Sequence, residues 1–528
     1  MATLDGTSWD VVIAGTGLQS ALLALALSRS GKKILHLDSN DYYGGREAAL
    51  SISEAEEWAK RLTANVQGSP FRNISVEKPD ALVEGPKLAS PRSYSLSLSP
   101  CLLYTRSALL PALVSSKTTE QLEFLAVGSW FVWRPSIAQS SDTKQSVDGS
   151  LIRVPNSRED IFSDSSLTLR AKSALVKFLR FVAVYQDEDK QETWQPYKSA
   201  PFADLLAKQF KIPADFHGPL LALTMSTCPS NEIETEFALQ AIHRHLTSMG
   251  IFGAGFSAVL LKYGGLSEVV QVACRAAAVG GAVYVLDRKV DAVDAAAATV
   301  DSGSEDNQLR VSLQGGDSVN ARLVFGTDDQ LPESSNKESS TLGLACSRSI
   351  TIVDSKLASL FPPPAEGSPS PSAAVVVFPS GSLGPTSGKN EYPVHVLVHS
   401  GDTGECPSGQ CVIYASTMQP LVQASSILDT AVQLIISSSN AAPSPVLWNM
   451  KYEVLSTSSS PTVVEDANLP GLYRFVEAPV DTVFDDRTVA SVKDAWKVIT
   501  NEGDENFMKF SDRNAEMEQD AARDEVDA

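Results

Sequence analysis

The sequence predicts an α/β fold, in which a parallel sheet is layered with helices and interrupted by a mostly helical insertion. Three observations carry this. A short apolar run, Val11 to Ala14, precedes the glycine turn Gly15-Thr16-Gly17, a helix pattern from Leu18 to Ser28, and a second apolar run from Ile34 to Leu37 that ends at Asp38. A later passage runs from a helix beginning near Glu268 through Gly280-Gly281 into a strand at Ala282–Leu286. Between these lie several helical stripes in a row with no strand signal. Strand, glycine turn, helix and strand in that order is the setting of a dinucleotide-binding turn, so the first domain is read as FAD/NAD(P)-binding-like and Rossmann-type.

In the opening turn, Gly15 permits the tight bend and Gly17 lets a backbone or a ligand come close. Ser20 stands where the full fingerprint has its third glycine. Asp38 is placed either to accept hydrogen bonds from a ribose or to cap the turn with Ser39 and Asn40. Two adjacent tyrosines, Tyr42 and Tyr43, precede Gly44-Gly45 and cannot both face the same way. Either one is an exposed interface anchor, or both rings cover the domain edge. Further on, Glu268, Gln271 and Arg275 recur at helical spacing and share one face, as a recognition surface or as an intrahelical network in water.

Length and charge bound the rest. At 528 residues the chain is long enough for more than one domain. Its formal charge of −20 excludes a general nucleic-acid binder and leaves room for partners with basic patches. Of the six cysteines only Cys406 and Cys411 lie close together, and their spacing fits neither a zinc knuckle nor a CxxC pair, which points to a reducing compartment. Acidic Asp5 and Asp10 argue against a cleaved signal, the apolar run Ala21–Leu27 is too short to span a bilayer, and the DEVDA ending holds no prenylation box. A soluble, cytoplasmic protein is expected.

The helical section is marked by stripes at Leu175, Phe178, Leu179 and Val182, at Phe202, Leu205, Leu206 and Phe210, and at Phe237, Leu239, Ile242 and Leu246. The expected organisation is residues 1–150 as the first part of the Rossmann-like domain and 151–250 as the helical domain. Residues 251–500 form the remainder of the first domain, with low-complexity surface inserts at 327–340 and 362–388, and 501–528 form an acidic, disordered tail. His36 reads as a satisfied core histidine, and His243 and His245 as surface and boundary residues. No metalloprotease, P-loop or nucleophile-elbow motif is present, and neither a catalytic nor a metal constellation is expected.

The stretch DVVIAGTGLQSALLALALSRSGKKILHLDSNDYYGG resembles the first conserved block of the family that joins Rab GDP-dissociation inhibitors and Rab escort proteins. IFGAGFSAVLLKYGGLSEVVQVACRAAAVGGAVYVLDRKV is similar to its tyrosine-glycine segment and following helix, with one residue more between Tyr263 and Glu268. Leu96–Phe124 and Leu469–Ile499 also look family-like, and Asn156–Val182 resembles the escort branch, in fungal-like wording. The resemblance implies a Rab-binding platform of Tyr43, Glu268, Gln271 and Arg275. It implies a vestigial dinucleotide motif of Gly15, Gly17, Ser20 and Asp38 with no cofactor. It further implies a helical domain that takes the geranylgeranyl group of prenylated Rab and docks the Rab geranylgeranyltransferase heterodimer. The expected role is a non-catalytic accessory subunit that binds newly made GDP-bound Rab GTPases, presents them for prenylation and delivers them to membranes by transient association. The alternatives are a Rab GDP-dissociation inhibitor that recycles prenylated Rabs, and an FAD- or NAD-dependent oxidoreductase resting on Gly15, Gly17, Asp38 and the Gly44-Gly45-Arg46 turn.

Overall fold

The computed structural model describes residues 4–511 except 65–67, 80–86, 137–148, 155–167, 254, 297–307, 334–343, 364–366, 368, 384–389, 440–444 and 457–459. The opening passage folds as β1 (Ser8–Ala14), α1 (Leu18–Leu27) and β2 (Ile34–Leu37). Alternation along β1 sends Val11 and Ile13 into one core and Val12 and Ala14 into the core on the opposite face. Every residue of α1 is buried. A helix apolar on all sides needs cover on all sides. α2 (Leu266–Val279) and α3 (Arg487–Thr500) supply it, bringing Val270, Ala273 and Ala277 from one and Val492 and Trp496 from the other.

The sheet beneath these helices runs β3 (Val283–Val285), β2, β1 and β4 (Ser318–Thr327), all parallel, with β5 (Leu472–Val476) parallel to the far end of β4. Val12 pairs with Leu35 on one side and Val324 on the other. Burial on both faces explains why these strands read as unbroken apolar runs. The carboxyl ends of β1, β2 and β4 meet the start of α1, which is where open α/β sheets place their ligands.

Helices at Leu169–Ala183, Glu188–Trp194, His217–Leu223 and Thr235–Ser248 follow in the middle of the chain, around a core that includes Phe178, Phe202, Leu239 and Ile242. Two readings of the last helix are corrected. Phe237 is 46% exposed, whereas His245 is buried among the rings of Tyr104 and Trp130 at 5.8 and 4.9 Å. The inward stripe is Ala238, Ala241, Ile242 and His245, so the histidine falls on it and the phenylalanine does not.

A second, ten-stranded sheet was not legible as such. Its main path runs Phe71–Glu77, Val446–Ser456, Leu344–Val353, Cys411–Thr417, Val394–Ser400, Ala373–Phe378, Phe124–Pro135, Ala258–Leu261 and Leu103–Tyr104. The expected surface insert at 362–388 is corrected by it, because Ala373–Phe378 is a wholly buried central strand. The insert expected at 327–340 is corrected at its start, where Thr327, Gln330 and Leu331 are buried; 334–340 lie outside the described residues. The tail expected to be disordered from 501 is corrected over its described part, where Asp504–Asn506 form a 3-10 turn, Met508 is buried and Phe507 packs on Trp496 at 5.7 Å; beyond Ser511 it lies outside the described residues, as does the start of the Asn156–Val182 segment. Among the described residues one helix, Leu421–Ser438, is long and apolar enough to cross a membrane, and it buries Leu421, Ala424, Leu428 and Ile435 against this sheet.

Candidate functional site

At the end of β2, Asp38 is buried and its carboxylate is fully engaged by the chain itself. One oxygen accepts from the Thr16 amide and hydroxyl, each at 2.6 Å; the other accepts from the Asn40 amide at 2.8 Å and its Nδ2 at 2.9 Å. Of its two sequence readings, the turn cap is the one present. Burial raises the Asp38 pKa, and the hydrogen bonds oppose the rise. Ser20 is buried, so a small residue keeps the helix close to the strands at the third fingerprint position.

The glycine turn is covered by side chains that sequence reasoning missed. Gly15 has φ of +93°, and a Cβ there would lie 2.7 Å from Cγ of Gln330. Gln330 is held by the Ser39 amide, which donates to its Oε1 at 3.0 Å. Gly17 faces Glu47, whose Oε2 accepts the Leu18 amide at 3.0 Å. Beside it Arg46 pairs with Glu477 at 2.9 Å. The cavity left at this point has a volume of about 90 Å³ and is lined by Gly17, Arg46, Glu47, Arg348, Glu477 and Asp481 among others. Small-molecule sites occupy roughly 300–1,000 Å³. The Glu47 carboxylate takes the helix-start amide that a pyrophosphate would use and Glu477 takes up Arg46, so the residues present do not fit a dinucleotide. Glu47 was visible in sequence as the acid after Gly44-Gly45-Arg46, but Gln330 carried no local signal.

His36 lies under the same turn, wholly buried, with Nε2 2.6 Å from the Gly15 carbonyl. A carbonyl only accepts, so Nε2 carries the hydrogen; Nδ1 has no partner among the described residues. Burial lowers the pKa from 6.5 to about 4, against the opposing pull of the Gly15 bond. The unfolded chain therefore takes up a proton between these values that the folded chain refuses. The resulting stabilisation is complete above 6.5 and is lost as pH falls towards 4. The stability advantage of wild type over His36→Gln should shrink by about 2 kcal/mol between pH 7 and pH 5, read from urea unfolding at each pH.

The next turn delivers Tyr43. Tyr42 packs inward and its hydroxyl accepts from Trp58 Nε1 at 3.2 Å, while Tyr43 is 38% exposed. The Tyr43 ring leans on Tyr284 of β3, centroid to centroid 5.9 Å, and Tyr284 leans in turn on His36 at 4.7 Å. Gly44, with φ of +103°, donates its amide to Thr16 Oγ1 at 3.0 Å, tying this turn to the first.

α2 lies beside it. Val269, Val270, Val272, Ala273 and Ala277 are buried, and the opposite face presents Gln271 and Arg275 exposed with Glu268 half-buried. Gln271 Nε2 donates to Ser267 Oγ at 3.1 Å. Neither Glu268 nor Arg275 has an ion-pair partner among the described residues, so the intrahelical network is absent there. Partial burial raises the Glu268 pKa. The 3-10 turn Gly45–Glu47 contacts α2, which brings the Tyr43 turn and the polar helix face together.

Residues 5–319 match the family of GDP dissociation inhibitors. The chain is 31% identical over 464 residues to a Saccharomyces cerevisiae protein named Rab proteins geranylgeranyltransferase component A, covering 87% of this chain and 70% of that one. It is 25% identical over 468 residues to Rab escort protein 1 of Arabidopsis thaliana, covering 79% and 77%. Among solved structures it is similar to a Rab GDI from Plasmodium falciparum, with TM-score 0.62, 17% identity and coverage of 94% and 99%. It is also similar to an oxidoreductase from Methanosarcina mazei, with TM-score 0.57, 12% identity and coverage of 92% and 100%. These two likenesses speak to the fold alone, a Rossmann-like architecture. With its dinucleotide turn filled from within and its family match running through both β1 and α2, the chain belongs to the GDP dissociation inhibitor family.

Proposed function

We propose that this protein is a Rab escort protein: it binds newly made, GDP-bound Rab GTPases, presents them to the geranylgeranyltransferase heterodimer and carries the prenylated product to membranes. The observation that carries the reading is an exposed tyrosine beside a polar helix face on which Glu268 and Arg275 have no ion-pair partner among the described residues, above a dinucleotide turn that the chain has filled itself. Sequence relatives named as component A of the transferase support the escort branch. In this reading Tyr43 supplies a rigid ring at the contact. Arg275 supplies a charge-assisted, two-pronged donor, and Gln271 and Glu268 set its polar surroundings. The transferase performs the chemistry, and this chain contributes orientation, which alone lowers a barrier substantially. The helices between Leu169 and Ser248 are the proposed seat of the geranylgeranyl chain, where each buried methylene is worth roughly 0.8 kcal/mol.

The test combines unprenylated Rab-GDP, the transferase heterodimer and labelled geranylgeranyl diphosphate, with and without this protein. Label should reach Rab only when the protein is present. Binding of prenylated Rab-GDP with no support of transfer would replace the reading with a recycling inhibitor. For the platform, Arg275→Ala should weaken Rab-GDP binding by about 2 kcal/mol, roughly 30-fold, with an unchanged melting temperature. Unaltered affinity in that folded variant would remove Arg275 from the contact.

A further inference from the structure

Helix α1 begins without a cap of its own. Gly17 at its N-cap offers no side-chain acceptor, and no acidic residue lies in its first turn. Exposed amides and aligned peptide dipoles at such an end favour an anion. The anion present is the Glu47 carboxylate, which accepts the first helical amide, Leu18 N–H, at 3.0 Å. It arrives from the turn that immediately follows Tyr43 and Gly44, and Gly44 is itself bonded to Thr16 at 3.0 Å. Two ties therefore run from the Tyr43 turn to the dinucleotide turn, one through Thr16 and one through Glu47.

We propose that Glu47 is an internal substitute for the phosphate of a dinucleotide: its carboxylate satisfies the start of α1 and, by doing so, holds the Tyr43 turn against α2 in its partner-binding shape. The side chains around it agree with a site closed to external phosphates. In the same small cavity Arg46 is taken up by Glu477 at 2.9 Å and Arg348 by the Leu98 and Asp481 carbonyls at 2.7 and 3.3 Å, and Gln330 lies across Gly15. The second half of the proposal rests on the reading of Tyr43 as a Rab contact, whereas the first half does not. Glu47 is thus a positioning residue, acting through the turn it anchors.

The full-length protein and its Glu47→Ala and Glu47→Gln variants test this by thermal unfolding and by titration with Rab-GDP. ADP should leave the wild-type melting temperature unmoved. Glu47→Ala should melt lower and recover in acetate, which refills the carboxylate position, but not in chloride at equal ionic strength. Its affinity for Rab-GDP should fall about tenfold, one step of 1.4 kcal/mol, and return with acetate. Glu47→Gln keeps an acceptor oxygen without the charge and should fall between, which carries the test if the alanine variant fails to fold. Wild-type stabilisation by ADP, a Glu47→Ala variant that melts like wild type, or equal recovery in chloride would overturn the substitution. Acetate-dependent stability with unaltered Rab affinity would overturn the positioning role. Failure of wild type itself to bind Rab-GDP would remove the functional reading and leave the stability arm standing.

Discussion

Replacing Asp38 by alanine should lower folding stability by roughly 2–6 kcal/mol, because it strands buried donors that have no other acceptor. The Thr16 amide and hydroxyl both point at one carboxylate oxygen and the Asn40 amide and side chain at the other. Leaving a buried donor unsatisfied costs about 1–3 kcal/mol, and two of these four, both from Thr16, are wholly buried. The damage should spread outward. Thr16 Oγ1 donates to Asp38 and accepts from Gly44, so the lost carboxylate frees the hydroxyl that holds the Tyr43 turn. The urea midpoint should therefore drop with an unchanged slope. Asp38→Asn, which keeps one acceptor oxygen, should lose less. A wild-type midpoint for the alanine variant would mean that water replaces the carboxylate at no cost.

That Asp38 serves its own chain illustrates what sequence can and cannot disclose. Its position at the end of β2 follows from local signals: an apolar run, a glycine turn, an apolar helix and another run, observed as Ser8–Ala14, Leu18–Leu27 and Ile34–Leu37. Whether its oxygens face a ribose or the protein depends on the path of Thr16 and Asn40, which composition does not encode. Gln330 is a harder case. It reaches Gly15 only because β4 pairs beside β1 across three hundred residues of intervening chain, and no periodicity announces that pairing. The polar face of α2 was legible because helical spacing alone separates Glu268, Gln271 and Arg275 from the buried valines. The second sheet was not, because its registers, such as Met450 opposite Val76 and Ile350, are set by tertiary contact. Its strand Ala373–Phe378 sits in Ser- and Pro-rich sequence that masked an apolar run.

The tight crossing of α1 and α2 yields the second large effect. A Cβ on Gly280 would fall 2.1 Å from the Ser28 carbonyl oxygen and 2.9 Å from its carbon. The backbone of Gly280 itself is ordinary, with φ of −77°, so the conflict is purely one of space. Because the obstruction is backbone, no rotamer change relieves it. Gly280→Ala must move the end of α2 off α1 by about an ångström, disturbing the core that holds Leu25, Ala273 and Ala277, at a cost of roughly 1–3 kcal/mol. The shift also carries Arg275 and Gln271 relative to Tyr43, whose turn is hydrogen-bonded to Thr16 and to the start of α1. Gly280→Ala should therefore lose both stability and Rab-GDP affinity, where Arg275→Ala loses affinity alone. Measured side by side, thermal unfolding and titration separate the two mechanisms. If Gly280→Ala were destabilised yet bound Rab-GDP like wild type, the spacing between Tyr43 and α2 would not matter to recognition, and the ring and the helix would act as independent contacts.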